Sequence, residues 1–366
     1  MAEGDTRIPA SPRTAFGSGY LTDIWYFVAL ARDLKRGRME ARVMLGESVV
    51  VGRTDDGQPF VMGNVCPHRG ALLSAGRMRR EADGAATVQC PYHGWRFGTD
   101  GVCKAIPSLV DEAKIDISRI GVRRYPTAES QGMVFMWVSS DPRFAGEPTE
   151  PPPVFPGVVG GAPKAVSQMD FEIHVDHAAV MLVDPSHAPF VHANWWWRSA
   201  ASQHTKVKSF APVEAGFVME RHPPSANSRP YFLLGGEPRT EITFRLPGIR
   251  WEYITVGRRQ MLSLAFLTPV NETRTHMTQI IWSDHPMVWL LAGALQFGAT
   301  RFLEQDRDLA KVLRDGLATD PSFICLDDAD RQARWYVALK REWIESRKAG
   351  RPFVNPVEAA TLTWRS

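Results

Sequence analysis

Two short segments, each with one cysteine and one histidine, constrain the fold of this chain most. Cys66–Gly70 reads CPHRG and Cys90–Trp95 reads CPYHGW, so each Pro/Gly-punctuated loop offers one thiolate and one imidazole. Two sulfur and two nitrogen ligands suit a binuclear iron–sulfur centre in which two histidines replace two cysteines on one iron. A zinc site is the alternative. Zinc fingers usually pair cysteine with cysteine and histidine with histidine, so the mixed pairing favours iron–sulfur. The candidate cluster ligands are Cys66, His68, Cys90 and His93.

This pair of motifs resembles the cluster motif of the Rieske non-haem iron oxygenases. One departure is visible, because 21 residues separate His68 from Cys90, several more than is usual in the family. The surplus falls in the polar stretch Arg77–Ala85, which we expect to be a surface loop with a turn. Loop-closure entropy grows only slowly with length, so such an insertion leaves the predicted cluster intact.

The length and composition predict an ordinary globular protein of two domains. At 366 residues, each of two domains can bury its own core. The hydrophobic content of 44% and charged content of 23% are typical of soluble proteins. A net charge of +3, with the basic residues dispersed along the chain, gives no indication of nucleic-acid binding.

The cysteines and the apolar segments predict a soluble cytoplasmic protein. The chain has four cysteines, too few and too scattered for a disulfide framework, which fits a reducing compartment. Cys103 is expected to be a buried small residue rather than a ligand. We expect no signal peptide, and a flexible N-terminus over residues 1–19. The longest apolar run, Met287–Ala299, falls short of the roughly 18 residues that span a bilayer, so it predicts a buried helix.

The pattern of strands, turns and prolines predicts an α+β protein. Residues 20–140 show short apolar runs separated by turns, as in a small antiparallel β domain carrying the cluster at two loop tips. Residues 141–163 are rich in Pro and Gly and form the predicted linker. Residues 164–366 predict an antiparallel sheet with helices on one side. The resemblance implies that these are a Rieske [2Fe-2S] domain and a helix-grip catalytic domain.

Within the second domain the sequence predicts seven β segments and two helices. The strands are expected at 166–175, 205–222, 229–235, 240–247, 250–256, 260–268 and 273–282, and the helices at 286–315 and 328–347. A three-tryptophan segment within 194–198 is either part of an apolar substrate pocket or ordinary aromatic packing.

A second candidate metal site follows the linker. His187 and His192 are five residues apart, about 140° around an unbroken helix, and Pro189 between them should break the helix and let the second ring swing back. Two histidines and a carboxylate are the ligands of a facial triad that holds Fe(II) with open positions. On the residues alone, ordinary histidines are an equal alternative. Asp184-x-x-His187-x4-His192 is similar to the mononuclear iron motif of the same family, although Met181 stands where relatives often carry Asn.

The third ligand should be a carboxylate on a later helix. Phe302, Leu309 and Leu313 lie at i, i+7 and i+11, and Asp306 at i+4 falls within that apolar stripe. A carboxylate among core residues needs a partner, either a metal or an Arg or backbone donor. Glu304 and Asp308 project toward solvent. The fallback candidates, which look like a helix N-terminal cluster, are Asp327, Asp328 and Asp330.

The resemblance implies the terminal oxygenase component of a Rieske system, with a [2Fe-2S] cluster and a mononuclear Fe(II). No nucleotide-binding fingerprint is present, so electrons should come from a separate NAD(P)H-dependent reductase, with or without a ferredoxin. Relatives pass electrons between the subunits of a homotrimer. The resemblance therefore implies a path from His93 of one chain to the bridging residue Asp184 of the next. The expected reaction uses O2 to hydroxylate or demethylate an aromatic, heterocyclic or polycyclic molecule, with monooxygenation favoured over dioxygenation. The alternatives are an electron carrier or a zinc-stabilised binding protein.

Overall fold

The computed structural model describes residues 7–8, 16–110, 112–141, 146–158, 161–193, 200–225 and 229–366. The candidate pocket tryptophans, Trp195–Trp197, lie outside these ranges. The chain forms two compact units. One is continuous from Leu21 to Val154, and the other combines the segment up to Tyr20 with Phe155–Ser366. The division falls inside the linker predicted at 141–163.

The described strands of the Leu21–Val154 unit have at most seven residues, whereas the longest strand of the other unit, Arg259–Asn271, has 13. The strands of the described chain are β1 (Arg7–Ile8), β2 (Ile24–Leu30), β3 (Arg38–Met44), β4 (Glu47–Arg53), β5 (Pro59–Gly63), β6 (Arg77–Arg80), β7 (Ala86–Gln89), β8 (Arg96–Gly98), β9 (Cys103–Ala105), β10 (Arg124–Tyr125), β11 (Thr127–Ser130), β12 (Met133–Val138), β13 (Ala165–Phe171), β14 (Thr205–Val213), β15 (Gly216–His222), β16 (Arg239–Arg245), β17 (Ile249–Val256), β18 (Arg259–Asn271), β19 (Arg274–Ser283), β20 (Phe323–Ile324) and β21 (Ala360–Arg365).

The α-helices of the described chain all lie in the second unit. They are α1 (Val175–Val183), α2 (Ala188–Val191), α3 (Pro286–Leu290), α4 (Ala292–Leu317) and α5 (Arg331–Lys348). None of these helices combines the length and apolarity needed to cross a bilayer. The run around Met287–Ala299, predicted as one buried helix, is divided between α3 and α4 and exposes Trp289 and Phe297.

The Leu21–Val154 unit is built from small antiparallel sheets. Their strand orders are β10-β5-β4-β3, β11-β12-β2 and β6-β7-β8-β9. The apolar strands β2 and β12 pair with each other and are buried along their whole length, because every side chain on them is apolar. This is the small antiparallel β domain that the sequence predicts, including its last apolar strand at Met133–Val138.

The insertion between the two cysteine motifs is more ordered than the surface loop that was expected. Residues 77–80 form β6, which pairs with β7 through a turn closed by Glu81 N–H donating to Ala85 C=O at 2.9 Å. Arg77, Arg79 and Arg80 are all exposed on β6, the edge strand of its sheet. Charged side chains on an edge strand hinder pairing with other chains, so this polar sequence is compatible with a strand.

The second unit is an eight-stranded antiparallel sheet packed against helices, in the order β13-β19-β18-β17-β16-β15-β14-β21. Trp335 and Tyr336 of α5 contact the aromatic rings of Phe210, Phe217 and Phe244 on neighbouring strands. Burying such large rings supplies much of the driving force for packing α5 on the sheet. The predicted α+β architecture is therefore confirmed.

Two local predictions in this unit were wrong, and one strand was missed. The strand predicted at 166–175 ends at Phe171, because His174 caps α1 by accepting from the Asp176 N–H at 3.2 Å. The strand predicted at 229–235 is a 3-10 helix, Arg229–Leu234, in which Pro230 lacks the N–H that a ladder needs. The strand β21 was not predicted, and it adds to the edge of the sheet beside β14.

The segment just before the β domain makes hydrogen bonds to residues of α1 and α5. Gly17 N–H donates to Asp176 Oδ2 at 2.6 Å, and Lys340 Nζ donates to Ser18 C=O at 3.1 Å. Asp176 is fully buried and also accepts from Tyr336 OH at 2.5 Å and Lys340 Nζ at 2.6 Å. These contacts lie within residues 1–19, for which flexibility remains a prediction.

Candidate metal centres

The two cysteine loops adopt the same turn. In the first, Cys66 N–H donates to Ala71 C=O at 2.9 Å and Gly70 N–H donates to Cys66 C=O at 2.9 Å. In the second, the corresponding bonds join Cys90 to Trp95 at 2.8 Å and Gly94 to Cys90 at 3.2 Å. The backbone of each cysteine is thereby fixed without help from its own side chain.

A glycine closes each turn for a steric reason. Gly70 has φ 74° and Gly94 has φ 73°, a left-handed conformation that costs other residues free energy. The motifs CPHRG and CPYHG therefore carry their final glycine because the turn demands it. This is why a sequence motif alone defines so much of the local structure.

The loops point their sulfurs inward and their imidazoles outward. Cys66 and Cys90 are 2% and 3% exposed, whereas His68 and His93 are exposed, with ring centroids 4.7 Å apart. His68 also stacks on Trp95 at 4.5 Å. Burial raises the pKa of the Cys66 thiol, and the neighbouring Cys90 sulfur raises it further. Two buried, adjacent sulfurs can both be thiolates only if a cation neutralises them, so these residues fit a metal cluster.

A second set of candidate ligands lies in the other unit. Among the described residues, the one group of three or more His, Cys, Asp or Glu side chains with all ligand atoms within 4.8 Å is found there.

The compact group is His187, His192 and Asp306. The two Nε2 atoms are 3.2 Å apart, and Asp306 Oδ1 lies 3.1 Å from His192 Nε2 and 3.8 Å from His187 Nε2. Metal bonds of about 2.1 Å at right angles separate their ligand atoms by about 3 Å. Three donor atoms that face one point at this spacing match one face of an octahedron, which leaves the opposite face open.

A break in the chain after α1 places the two histidines. α1 ends at Val183, and a new short helix, α2, begins at Ala188 with His187 before it and His192 after it. Pro189 lies in the first turn of α2, where its missing N–H is not needed. The predicted helix break therefore exists, but it precedes His187 instead of falling at Pro189.

Asp306 reaches the histidines from the middle of α4, 13% exposed at its side chain. Glu304 and Asp308, the other candidates on this helix, bind Arg301 and Lys311 at the surface. The fallback Asp327, Asp328 and Asp330 precede or cap α5. The buried stripe of α4 contains Leu303 and Ala310, so it lies one residue away from the predicted one. Of the candidate carboxylates, the structure brings Asp306 alone to the two histidines.

His192 has two further contacts that the sequence did not reveal. Its ring is 1% exposed and stacks on Phe302, with ring centroids 3.5 Å apart and planes within 16°. Its Nδ1 lies 3.0 Å from Gln305 Oε1. Phe302, Gln305 and Asp306 occupy positions i, i+3 and i+4 of α4, so one helical turn supplies the stacking ring, the polar partner and the carboxylate.

Asp184 lies beside His187 on the other side of the group. Its Oδ2 is 3.6 Å from His187 Nδ1, too long for a direct hydrogen bond, and its Oδ1 accepts from Ser186 N–H at 2.6 Å. Burial acts to lower the pKa of His187, but the carboxylates of Asp184 and Asp306 outweigh it and raise the pKa. A cluster of negative charge facing two imidazoles is an environment that attracts a cation.

Comparison with known proteins identifies both parts of the chain. Residues 24–126 match the family described as Rieske [2Fe-2S] domain, and residues 177–334 match the vanillate O-demethylase oxygenase C-terminal domain. Chlorophyllide a oxygenase of Arabidopsis thaliana is 29% identical over 180 residues, which are 48% of this chain and 30% of that protein. The 3-chlorobenzoate-3,4-dioxygenase oxygenase subunit of Comamonas testosteroni is 34% identical over 123 residues, 33% of this chain and 27% of that subunit. The matches thus span less than a third of these relatives' own lengths.

Solved structures share the fold. Dicamba monooxygenase bound to dicamba superposes with a TM-score of 0.70 at 21% identity, covering 91% of this chain and all of that one. Pseudomonas putida CBB5 NdmB gives 0.63 at 18% identity, covering 92% of this chain and 96% of that one. The fold and the two matching families define a cluster-bearing β domain joined to an oxygenase-type C-terminal domain. The chain belongs to the Rieske non-haem iron oxygenases.

Proposed function

We propose that this chain is the terminal oxygenase component of a multicomponent Rieske system. It uses O2 and electrons from a separate reductase to hydroxylate or oxidatively demethylate an aromatic, heterocyclic or polycyclic small molecule. The observation that carries this proposal is the open triad of His187, His192 and Asp306 in the same chain as the two cysteine loops. An electron carrier without oxygenase activity would have no need for the triad.

The residues divide into two ligand sets. Cys66 and Cys90 hold one iron of the [2Fe-2S] cluster, and His68 and His93 hold the other. The mononuclear iron is held by His187, His192 and Asp306. When bound, the cluster supplies single electrons and the mononuclear iron supplies a site for dioxygen. The reaction balances as substrate C–H plus O2, two electrons and two protons giving substrate C–OH and water. Monooxygenation is the favoured outcome.

Electron transfer requires partners. The donor is a separate NAD(P)H-dependent reductase, directly or through a ferredoxin. The working oligomer is a homotrimer in which His93 of one chain is coupled to Asp184 of the next. The position of Asp184 supports this role, because its carboxylate lies beside the His187 ring, 3.6 Å from Nδ1. The four cysteines are free, which fits a reducing compartment such as the cytoplasm.

The relatives support the substrate class. The superposed monooxygenase structure contains dicamba, and an NdmA variant of Pseudomonas putida CBB5 was solved with caffeine. Chlorophyllide a oxygenase is named for a larger polycyclic molecule. A small aromatic or heterocyclic compound with an O- or N-methyl group is therefore the first class to screen, and a polycyclic compound is the second.

Iron and sulfide analysis of the purified protein, with its visible spectrum, tests this proposal. The oxygenase requires three irons and two sulfides per chain. Two irons with two sulfides would instead identify an electron carrier, and a colourless zinc protein would identify the binding-protein alternative. A substrate screen with a generic reductase under 18O2 then measures oxygen uptake and label in the product.

A further inference from the structure

We propose that Gln305 is a positioning residue for the iron site. Its amide oxygen holds the proton of His192 on Nδ1 and so keeps the Nε2 lone pair directed at the metal. This inference rests on the proposed function, because it concerns a ligand of the proposed mononuclear iron. Gln305 is not itself a ligand of the triad, but it lies on the same turn of α4 as the ligand Asp306.

The surroundings of His192 provide a partner for each of its ring nitrogens. A neutral imidazole carries its proton on one nitrogen, and the other nitrogen alone can bind a metal. His192 Nε2 faces His187 Nε2 at 3.2 Å and Asp306 Oδ1 at 3.1 Å, so it occupies the ligand position. Nδ1 faces Gln305 Oε1 at 3.0 Å. An oxygen acceptor at that distance stabilises the tautomer that carries the proton on Nδ1, which is the one that leaves Nε2 free to bind a metal.

The ring is held in place by its burial and packing. It is 1% exposed and lies flat against Phe302, so water does not compete freely for Nδ1. A buried N–H without an acceptor costs about 1–3 kcal/mol. Loss of the Gln305 oxygen would therefore penalise the metal-competent tautomer directly, without removing any ligand.

An amide differs from a carboxylate at this position because it can also donate. If the Gln305 amide rotates, its NH2 group faces Nδ1 and stabilises the other tautomer, in which Nε2 carries a proton and cannot bind metal. Metal binding at Nε2 and the oxygen-inward amide therefore favour each other. A carboxylate would accept in either orientation, so glutamate should preserve the correct tautomer.

Three variants test this inference. Gln305→Leu removes the acceptor, Gln305→Glu keeps an acceptor, and Glu304→Gln changes the neighbouring surface residue as a matched control. Gln305 is an exposed residue of α4, so these changes should not prevent folding. The probe is Zn²⁺, which has no redox chemistry, added to protein that retains its cluster after chelator treatment. Its affinity is measured by competition with a chelator.

We expect Gln305→Leu to weaken Zn²⁺ binding by about 10- to 100-fold. Gln305→Glu should bind within a few-fold of the parent protein or more tightly, and Glu304→Gln should equal the parent. As a spectroscopic readout, 15N-histidine NMR of the Zn²⁺ form should show His192 protonated at Nδ1 in the parent and in Gln305→Glu. In Gln305→Leu that proton should exchange faster with solvent.

Several results would overturn the inference. One is unchanged Zn²⁺ affinity in Gln305→Leu. Another is a Gln305→Glu variant as weak as Gln305→Leu, since side-chain shape rather than the acceptor would then matter. Both outcomes leave the proposed function standing, provided that the parent protein binds the metal at the triad. Failure of the parent to bind any metal there would remove the proposed function and this inference together.

Discussion

The two candidate metal centres are built in opposite ways. The cysteine loops are two copies of one hydrogen-bonded turn, each fixed by its own backbone and closing glycine. The triad instead joins two histidines that flank a four-residue helix to a carboxylate on α4, and 113 residues separate His192 from its partner Gln305. The cluster site therefore depends on local geometry, whereas the triad depends on how the whole C-terminal unit packs. A substitution that destabilises this packing should therefore disrupt the triad before it disrupts the cluster site.

Of the changes that distinguish the two centres, removal of the Asp306 carboxylate should have the largest effect. Asp306→Ala leaves two imidazoles with no anionic ligand, so the mononuclear iron should be lost while the cluster and its visible spectrum remain. Turnover should fall by more than about 100-fold, because changes even in residues behind the ligands cost 10- to 100-fold. Iron content should drop by a third, as measured by metal analysis.

Asp308→Ala is the control for this prediction. Asp308 lies two residues away on the same helix but binds Arg307 and Lys311 at the surface. It should keep full iron and activity. If Asp306→Ala also retains both, the carboxylate ligand has been misassigned and the contrast between the two centres fails.

Conversion of the cluster toward all-cysteine ligation should be the next largest effect. His68→Cys replaces one imidazole, and clusters with two histidines have potentials of about −150 to +300 mV against about −400 mV with four cysteines. The midpoint potential should fall by more than about 100 mV, and the mononuclear iron should stay bound. A redox titration followed by its visible spectrum measures the shift. Cys103→Ser, at a buried cysteine outside the motifs, should leave the potential unchanged.

The buried ion pair of the C-terminal unit provides a third test. Asp176→Asn leaves Lys340 without its carboxylate, and breaking one side of a buried pair costs about 3–5 kcal/mol. On heating, the variant should release the mononuclear metal at a lower temperature while the cluster absorbance persists. The exposed pair of Asp170 and His276 offers a control, because Asp170→Asn should cost about 0–1 kcal/mol. If Asp176→Asn lost the mononuclear metal and the cluster at the same temperature, the stability of the two centres would not be independent.

A pH effect near the same ion pair should be the smallest. Burial lowers the pKa of His177 to about 4, below its ordinary value of 6.5. The unfolded chain then binds a proton that the folded chain does not, so stability is complete above pH 6.5 and falls as the pH decreases to 4. The loss should be about 3 kcal/mol. Denaturant unfolding of His177→Gln across this range should show a flatter profile than the parent, and equal slopes would contradict it.

The sequence predicted the parts of these centres that depend on local geometry. The cysteine loops were recognisable because the turn itself requires the glycine that closes each motif. Asp306 was found by helical spacing, even though the true stripe is shifted to Leu303 and Ala310, since a carboxylate on a buried helix face needs a partner wherever the stripe is centred. The assignment of these residues to iron remains a prediction for metal analysis to check.

What the sequence did not reveal depends on contacts between distant residues. No sequence pattern pointed to Gln305, because its role depends on its contact with His192 Nδ1. The role of Asp176 likewise depends on its ion pair with Lys340, which lies 164 residues later in the sequence. The strand β21 did have a signal, since Leu362 and Trp364 are buried and alternate with exposed threonines. Its place beside β14 could not be read from that alternation, which leaves the partner strand unspecified.

The hydrogen bond from Lys340 to Ser18 spans 322 residues and has a consequence for biosynthesis. The unit from Leu21 to Val154 is continuous, so it can fold while the ribosome is still translating the remainder. Synthesis proceeds at about 5–20 residues per second, so Lys340 is made roughly 16–64 s after Ser18. The β domain can therefore receive its cluster first, and the second metal site is complete only after Asp306 has been made.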